Sequence, residues 1–305
     1  MEIKKITKDY KSDKSSVIAL GNFDGVHIGH RVLLETMVKE AEKNNIKSSV
    51  LIFKEHTKKL ISNKKHYLLT SNEKKYKIFE EMGIDIVYEI PFDKSIMTMS
   101  PEYFVKDFLI NNLNVRGIVV GFDYRFGYKA MGNAELLEKM SVDYNFKLKV
   151  LDPVEKDGEK ISSTLIRTLI TEGKIEEANQ LLGYEYTIDG VVIHGKKLGE
   201  KMGYPTANID PDVEYVIPAK GVYDSDIFID GKKYKAATNI GKNPTIENSG
   251  LRVESHILDF SESIYSKRVS LSLLRYLRPE LKFKSVEELF QQIALDTEEV
   301  RQREE

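Results

Sequence analysis

Residues 21–30 read Gly-Asn-Phe-Asp-Gly-Val-His-Ile-Gly-His, and this stretch decides the fold of the first half of the chain. The segment before it, Ser16 to Leu20, is apolar enough for a buried strand. The apolar residues after it recur at helical spacing, namely Leu33, Leu34, Met37, Val38 and Ala41. The sequence therefore predicts a strand, a glycine-rich turn and a helix in that order.

A turn of this kind suits phosphate binding. Its glycines let the backbone pass close to a ligand, and a helix start offers unpaired N–H groups and the positive end of the helix dipole. His27 and His30 are three residues apart, so both imidazoles lie on one face of the first turn if the helix begins at Ile28.

Two other interpretations of these histidines stay open at this point. They could be capping or half-buried groups without a ligand, or they could form half of a zinc site. A zinc site needs further ligands, and the chain has no cysteine and only four other histidines. Local chemistry therefore favours a phosphate site over a zinc site or a purely structural turn.

Composition limits the class of protein. With 305 residues and 41% hydrophobic content, the chain is long enough for two domains with packed cores. It has no cysteine for disulfides, and no apolar run near the roughly 18–20 residues of a transmembrane helix. We therefore expect a cytoplasmic enzyme without a membrane partner. A net charge of −2 argues against a nucleic-acid partner, which needs an excess of Lys and Arg on one face.

Strands and helices alternate through the first half. Helices are predicted from Ser71 to Met82 and from Ser100 onward. The further strands are predicted at Ser48–Phe53, Ile84–Ile90, Gly117–Gly121 and Phe146–Leu151. This pattern indicates an α/β fold with a Rossmann-like parallel sheet, in which ligands bind beyond the carboxyl ends of the strands.

Two more segments of the first half carry polar or aromatic clusters. Residues 121–127 read Gly-Phe-Asp-Tyr-Arg-Phe-Gly, which suits either a loop over a flat ligand or a loop whose aromatic side chains fill the core. Residues 161–167 read Ile-Ser-Ser-Thr-Leu-Ile-Arg, which predicts a helix N-terminus. Many such caps have no ligand, but three hydroxyls followed by an arginine also suit a phosphate.

The pattern changes after Gly183, where a short helix from Ile175 to Leu182 ends. Short strands separated by Gly, Pro and Asn then predict a small antiparallel β-barrel, with a final helix from Ser285. The strands are predicted at Tyr186–Val192, Val222–Ile229, Lys233–Asn239, Val253–Leu258 and Arg268–Leu274. We place the domain boundary here, giving domains 1–183 and 184–305.

Two polar clusters interrupt the predicted barrel. Between His194 and Asn208, glycines recur four residues apart in a basic loop able to wrap a polyphosphate, although most such loops are plain turns. Glu254 lies on an alternating strand together with His256. Three roles are open for Glu254: a solvent-exposed strand residue, a structural ion pair or a general base.

Several segments together resemble one known family. Residues 21–30 are similar to the first HxGH signature of nucleotidyltransferases, and residues 161–167 to the second signature, about 130 residues later. Residues 205–208, Pro-Thr-Ala-Asn, resemble a riboflavin kinase signature, and residues 253–260 its VESHxLDF segment. In this order, along essentially the whole chain, the motifs identify it as a member of the bacterial bifunctional riboflavin kinase/FMN adenylyltransferases, or FAD synthetases.

The resemblance implies two reactions. The Rossmann-like HxGH nucleotidyltransferase domain would transfer AMP from ATP to FMN, giving FAD and pyrophosphate. The antiparallel β-barrel riboflavin kinase domain, with its C-terminal helix, would make that FMN from riboflavin and ATP with Mg²⁺. The expected partners are these small-molecule substrates only, and the expected assembly is a monomer or weak homo-oligomer.

The resemblance also assigns residues. The catalytic residues would be His27, His30, Arg167 and Glu254. The nucleotide-binding residues would be Gly21, Asn22, Phe23, Asp24, Gly25, Asp123, Ser162, Ser163, Thr164, Gly195, Lys196, Gly199, Gly203 and Tyr223. Thr206 and Asn208 would bind Mg²⁺, and Phe126, Arg278 and Phe283 would contact the flavin.

Two competing hypotheses and one misleading motif remain. The chain could retain only one of the two activities, or it could be a flavin-binding regulator that touches RNA or a protein partner. Lys139-Met140-Ser141 resembles the start of the KMSKS motif of tRNA synthetases. It continues as an amphipathic helix, however, so we predict a surface position for Lys139 and a core position for Met140.

Overall fold

The computed structural model describes residues 1–54, 67–195, 205–241 and 252–304. The described chain forms two compact units. The first contains residues 1–54 and 72–161, and the second contains residues 67–71, 162–195, 205–241 and 252–304.

The first unit is a parallel sheet with helices packed on it. Its strands are β1 (Glu2–Lys5), β2 (Ser16–Leu20), β3 (Lys47–Phe53), β4 (Ile86–Ile90), β5 (Val115–Gly121) and β6 (Lys147–Leu151), followed by a hairpin of β7 (Glu155–Lys156) and β8 (Glu159–Lys160). Its helices are α1 (Ile28–Lys43), α2 (Asn72–Glu81), α3 (Lys94–Met97), α4 (Tyr103–Asn112, of the π type) and α5 (Ala134–Asp143). The predicted fold class is confirmed for this unit.

The strand order is β1-β4-β3-β2-β5-β6. After the central strand β2, the chain adds β3 on one side of it and later adds β5 on the other side. The direction in which strands are added therefore reverses between β2 and β5. Ligands of such sheets bind at this reversal, beyond the carboxyl ends of the strands. The segments that leave those two ends are the turn before α1 and the aromatic loop from Gly121 to Gly127.

The sequence missed the edge strand β1. It is four residues long and mostly exposed, so it lacks the apolar run by which the other strands were recognised. β1 pairs in parallel with β4 through the register Glu2 to Ile86. The prediction for Lys139 and Met140 is confirmed, since Lys139 is exposed and Met140 is 5% exposed in the core.

The second unit begins with α6 (Ser163–Thr171) and α7 (Ile175–Leu182), which ends at Gly183 with a left-handed φ of 77° as expected for a C-terminal glycine. The strands that follow are β9 (Tyr186–Ile193), β10 (Thr206–Pro211), β11 (Gly221–Ile229), β12 (Lys232–Gly241), β13 (Arg252–Ile257) and β14 (Arg268–Arg278), and the last helix is α8 (Val286–Arg301). They close into a barrel in the order β10-β13-β12-β11-β14-β9.

The predicted antiparallel barrel is confirmed, with one more strand than the five expected. The additional strand, β10, begins at Thr206 within the Pro-Thr-Ala-Asn segment and ends at Pro211. Its polar residues and the prolines at its two ends hid its strand character. Inside the barrel, the fully buried hydroxyls of Ser225, Thr238 and Ser255 form a hydrogen-bonded chain with oxygen separations of 2.7 and 2.8 Å. These hydrogen bonds satisfy polar groups that would otherwise be costly to bury.

Helix α8 packs on the outside of the barrel. Its buried Val300 contacts Ala237 and Leu258. The apolar residues nearer the N-terminus of α8 are less buried, since Val286 is 54% exposed and Leu289, Phe290 and Ile293 are half-buried. After the helix, Arg303 donates to Asp224 at 2.5 Å and also to Asp226, so the end of the described chain is attached to β11.

Candidate active sites

The turn after β2 has a strained backbone. Phe23 and Val26 have φ angles of +45° and +34°, values that are rare for residues with a side chain and rarest for a β-branched one. Both side chains are fully buried, so packing holds the conformation. Strain of this kind is typical of functional sites, where the surrounding structure must stabilise it.

The two histidines lie directly after this strained turn. His27 is the N-cap of α1, and its Nδ1 accepts a hydrogen bond from the backbone N–H of His30 at 3.3 Å. The two imidazole rings stack, with 3.8 Å between their centroids and 15° between their planes. Because Nδ1 of His27 accepts a hydrogen bond, this network assigns the proton of the neutral ring to Nε2, which is then a donor.

Both imidazoles are uncharged near neutral pH. Burial lowers the pKa of His27 to about 4, and the charge of Lys160 acts in the same direction. Burial also lowers the pKa of His30 well below its usual value, followed by the effects of His27 and Lys75. In the described chain, Nδ1 of His30 is buried and has no hydrogen-bond partner. This nitrogen can therefore form a hydrogen bond to a ligand without losing one inside the protein.

The other residues expected to bind nucleotide in this turn differ in their exposure. Gly21 and Asn22 reach the surface. Phe23 and Gly25 are buried, and Asp24 is 2% exposed. The surface of the turn is therefore formed mainly by backbone at its start and by the helix N-terminus at its end.

The aromatic loop after β5 has both features that its sequence allowed: one aromatic side chain fills the core, and another is exposed to a ligand. Phe126 is 5% exposed and packs in the core against Phe104, with 5.7 Å between ring centroids. Asp123 forms an ion pair with Lys160 at 2.6 Å, and the same ammonium lies 4.4 Å from the ring centroid of Phe122. Phe122 is 43% exposed, so it is the more accessible aromatic side chain for a flat ligand, and the sequence did not single it out.

The second signature forms the N-terminus of α6 in the second unit. Ser162 is the N-cap, and its hydroxyl accepts from the N–H of Leu165 at 3.2 Å. Arg167 donates to the carbonyl of Ser163 at 3.1 Å. Thr164 is exposed. The predicted helix start is confirmed, and its hydroxyls and guanidinium stay predictions as phosphate ligands.

On the barrel, Glu254 lies in a polar row that crosses three strands. Its register partner on β10 is Asn208, and its register partner on β12 is Asn239. Residues opposite each other in neighbouring strands share a face of the sheet, so these three side chains lie side by side. The same register places Thr206 opposite His256.

Arg252 is near this row. Its Nε lies 3.9 Å from Oε1 of Glu254, and its Nη2 lies 3.9 Å from Oε1 of Glu280. With the Asn239 amide oriented by its hydrogen bonds, the amide oxygen accepts from Nη2 of Arg252 at 3.1 Å. The Glu254 side chain is 30% exposed, so a substrate can reach its carboxylate.

A pocket of 280 Å³ opens beside β10. It brings together three of the expected site residues, Gly195, Thr206 and Asn208. A Cβ atom at Gly195 would lie 2.1 Å from Nδ2 of Asn208, so the backbone and the amide are in close contact. The remaining lining is mixed. It includes the apolar residues Val192, Ile257, Phe260 and Ile264 and the polar residues Ser261, Glu262 and Ser263. Lys196, Gly199 and Gly203 lie outside the described residues.

The last three expected residues have mainly structural surroundings. Tyr223 is fully buried, and its hydroxyl donates to the carbonyl of Ala219 at 2.5 Å. Arg278 forms two hydrogen bonds to Asp296 of α8, at 2.8 and 2.6 Å. Phe283 is half-buried in the segment between β14 and α8. Their nucleotide or flavin contacts stay predictions.

Thr206 and Asn208 are the expected metal ligands. In the part of the chain that the structure describes, no group of three or more His, Asp or Glu side chains could hold a metal ion by itself. Thr206 and Asn208 are two residues apart on β10 and offer a hydroxyl and an amide oxygen. Such neutral oxygens fit Mg²⁺, which keeps several waters and takes further ligands from substrate phosphates.

The fold defines a two-part protein, with a Rossmann-like α/β unit followed by a closed antiparallel barrel and a final helix. Comparison with known families supports the same division. Residues 9–165 match the FAD synthetase family and residues 182–303 match the riboflavin kinase family. The chain belongs to the family of bifunctional riboflavin kinase/FMN adenylyltransferases.

Relatives of this family align along nearly the whole chain. A bifunctional riboflavin kinase/FMN adenylyltransferase of Listeria monocytogenes is 40% identical over 299 residues, which are 97% of this chain and 95% of the relative. An enzyme of the same name from Buchnera aphidicola is 38% identical over 297 residues, which are 95% of each chain.

A solved structure has the same fold. The crystal structure of a protein from Streptococcus pneumoniae, named there a macrolide-efflux protein, matches with a TM-score of 0.89 and 33% identity. The match covers 98% of this chain and 99% of that one. We take only the fold from this similarity. Across the described residues, no helix is long and apolar enough to cross a membrane.

Proposed function

We propose that this chain makes FMN from riboflavin and FAD from FMN at two separate sites, one built on the His27–His30 turn and one around Glu254 on the barrel. Both activities follow from the two family matches and from the names of the relatives. The substrates are therefore riboflavin, FMN and ATP. The observation that carries the first site is the neutral, stacked histidine pair at the N-terminus of α1.

In adenylyl transfer, a phosphate oxygen of FMN attacks the α-phosphorus of ATP, and the bond to the bridging oxygen of pyrophosphate breaks. The protein forms no bond to either substrate, so its contribution is to position the substrates and to stabilise charge. Nε2–H of His27 and the free N–H groups of α1 are the donors available for the phosphates at this turn. Removing one preorganised donor typically costs about 10²–10³-fold in rate.

The remaining residues of this reaction are assigned through the family. Ser162, Ser163, Thr164 and Arg167 would bind phosphate oxygens, as a helix N-terminus with hydroxyls and a guanidinium can. Asp123 would take part in nucleotide binding, and Phe126 would contribute to the flavin site from its core position. The assignment of residues 1–183 to adenylyl transfer and 184–305 to phosphorylation is part of the same proposal.

In the kinase reaction, Glu254 would accept the proton of the 5′-hydroxyl of riboflavin while that oxygen attacks the γ-phosphorus of ATP, with ADP leaving. Its position beside Asn208 and its 30% exposure support this role, because a base must be near the nucleotide and reachable. Thr206 and Asn208 would hold Mg²⁺, which neutralises phosphate charge when bound.

The pocket beside β10 is the proposed nucleotide site of the kinase. The apolar part of its lining suits a purine, and Gly195 places backbone in close contact with the amide of Asn208. Lys196, Gly199, Gly203 and Tyr223 are assigned to the same nucleotide by resemblance, and Arg278 and Phe283 to the flavin. A cytoplasmic location and a monomeric or weakly oligomeric state are further parts of the proposal.

Incubation of the purified chain with riboflavin and Mg-ATP, followed by chromatographic separation of the flavins, tests the proposed function. Both FMN and FAD are expected. A chain that had retained one activity would give FMN only, or would give FAD only when FMN is supplied. Formation of neither product would contradict the proposal.

A further inference from the structure

A buried lysine lies near His30 in the first unit. Lys75 on α2 is 5% exposed, and lysine is rarely buried to this extent unless it has a charged partner or a function. Phe79, four residues later, is fully buried on the same face of the helix. The buried face of α2 therefore carries Lys75 and Phe79 one turn apart.

Aromatic contacts connect this face to the turn. Phe79 meets Phe23 edge to face with 5.9 Å between ring centroids, and Phe23 meets His30 in the same way with 5.4 Å between centroids. Phe23 thus forms a bridge from α2 to His30. Lys75 is close enough for its charge to act on His30.

Two buried carboxylates also act on the charge of Lys75. Asp24, in the turn, is 2% exposed, and Glu89, in β4, is 7% exposed and accepts a hydrogen bond from Tyr76. Burial lowers the pKa of Lys75, whereas these carboxylates raise it.

We infer that Lys75 is a further catalytic residue of adenylyl transfer, whose ammonium contacts the phosphates of ATP and the pyrophosphate that leaves. This inference rests on the proposed function of the His27–His30 turn. The two histidines are neutral and supply donors but no positive charge. A pyrophosphate leaving group develops negative charge as its bond to the α-phosphorus breaks, and a buried cation stabilises that charge more strongly than an exposed one does.

A different role would give Lys75 similar surroundings. It could serve only as the counter-charge of Asp24 and Glu89, because a buried carboxylate is costly without a cation nearby. The two roles differ in one respect. A counter-charge becomes unnecessary when the carboxylate is neutralised, whereas a phosphate ligand does not.

The test uses variants Lys75→Met, Lys75→Arg and Lys75→Met/Glu89→Gln in the full chain, with Lys77→Met as the matched control because Lys77 is exposed on the same helix. For FAD formation, we measure kcat, KM for ATP and inhibition by pyrophosphate. Riboflavin phosphorylation and the melting temperature are measured on the same samples.

We expect Lys75→Met to lower kcat/KM for ATP in FAD formation by about 10²-fold and to weaken inhibition by pyrophosphate, with riboflavin phosphorylation unchanged. Lys75→Arg should recover part of the loss, and Lys77→Met should match the parent protein. The double variant should recover part of the melting temperature, because Asp24 stays charged while Glu89 is neutralised, but it should not recover activity.

Recovery of FAD formation in the double variant would overturn the inference and assign Lys75 the counter-charge role. An unchanged kcat/KM in Lys75→Met would also overturn it. His30→Ala separates this failure from failure of the proposed function. If His30→Ala abolishes FAD formation while Lys75→Met does not, only the role of Lys75 is wrong.

Discussion

The imidazole rings of His27 and His30 stack with their centroids 3.8 Å apart. Two rings in this arrangement cannot both be protonated without strong repulsion, and burial lowers the pKa of each. The site therefore holds neutral donors beside a helix N-terminus. Protonation of a histidine becomes more favourable there only when an anion binds, which is the behaviour expected of a phosphate site.

The buried His27 should make the first unit sensitive to acid. Its pKa is about 4 in the folded chain against 6.5 for an unperturbed histidine. Between these values the unfolded chain binds the proton more strongly, so the free energy of unfolding falls as the pH decreases from 6.5 to 4. Below pH 4, protonation of His27 causes no further change. The full loss is roughly 3 kcal/mol.

His27→Asn removes the titrating group and keeps a side chain that can cap α1. Urea unfolding followed by circular dichroism, at pH 7 and at several lower values, should show a shallower loss of stability for this variant than for the parent. Parallel pH profiles of the two proteins would show that burial of His27 does not cause the sensitivity to acid.

Gly29→Ala tests whether the stacked geometry matters for catalysis. A Cβ atom at Gly29 would lie 3.2 Å from Cε1 and Nδ1 of His27, so the ring must move. Alanine favours a helix over glycine by up to about 1 kcal/mol, so stability should be maintained or improved. FAD formation should nevertheless fall by about 10²-fold, because small displacements of positioning groups are costly.

The control for this variant is riboflavin phosphorylation, which should be unchanged in the same sample. FAD formation at the parental rate, with a melting temperature at least as high, would show that the ring geometry is not needed.

The sequence predicted the fold well where hydrophobic patterns are strong. The buried strands β2, β3 and β5 were recognisable, because apolar runs are local signals. The edge strand β1 and the polar strand β10 were missed, because their pairing depends on partners distant in the chain. Lone residues such as Lys75 and Arg252 carry no motif, and only the folded contacts reveal their neighbours.

Gly195→Ala tests the kinase nucleotide site. The added Cβ would lie 2.1 Å from Nδ2 of Asn208, so the amide must rotate away. Because Asn208 is a proposed ligand of Mg²⁺, kcat/KM for Mg-ATP in riboflavin phosphorylation should fall by roughly 10²-fold. Kinetics over a range of magnesium concentrations check this. Unchanged magnesium dependence would contradict the role of Asn208, and FAD formation from added FMN serves as the control.

Arg278 offers a test that separates structure from flavin binding. Its double hydrogen bond to Asp296 is largely buried, with side-chain exposures of 17% and 7%. Arg278→Met and Asp296→Asn should therefore each destabilise the barrel by about 3 kcal/mol, since each leaves a buried partner uncompensated.

If Arg278 also contacts the flavin, KM for riboflavin should rise more in Arg278→Met than in Asp296→Asn. Equal KM values in the two variants would restrict Arg278 to attachment of α8.

The central claim is that two sites perform two reactions, and His30→Ala and Glu254→Gln test it most directly. FMN formation from riboflavin and FAD formation from FMN are measured separately for each variant. His30→Ala should lose FAD formation by about 10²–10³-fold and keep FMN formation, and Glu254→Gln should do the reverse. Equal loss of both reactions in either variant, with the fold intact, would contradict the claim.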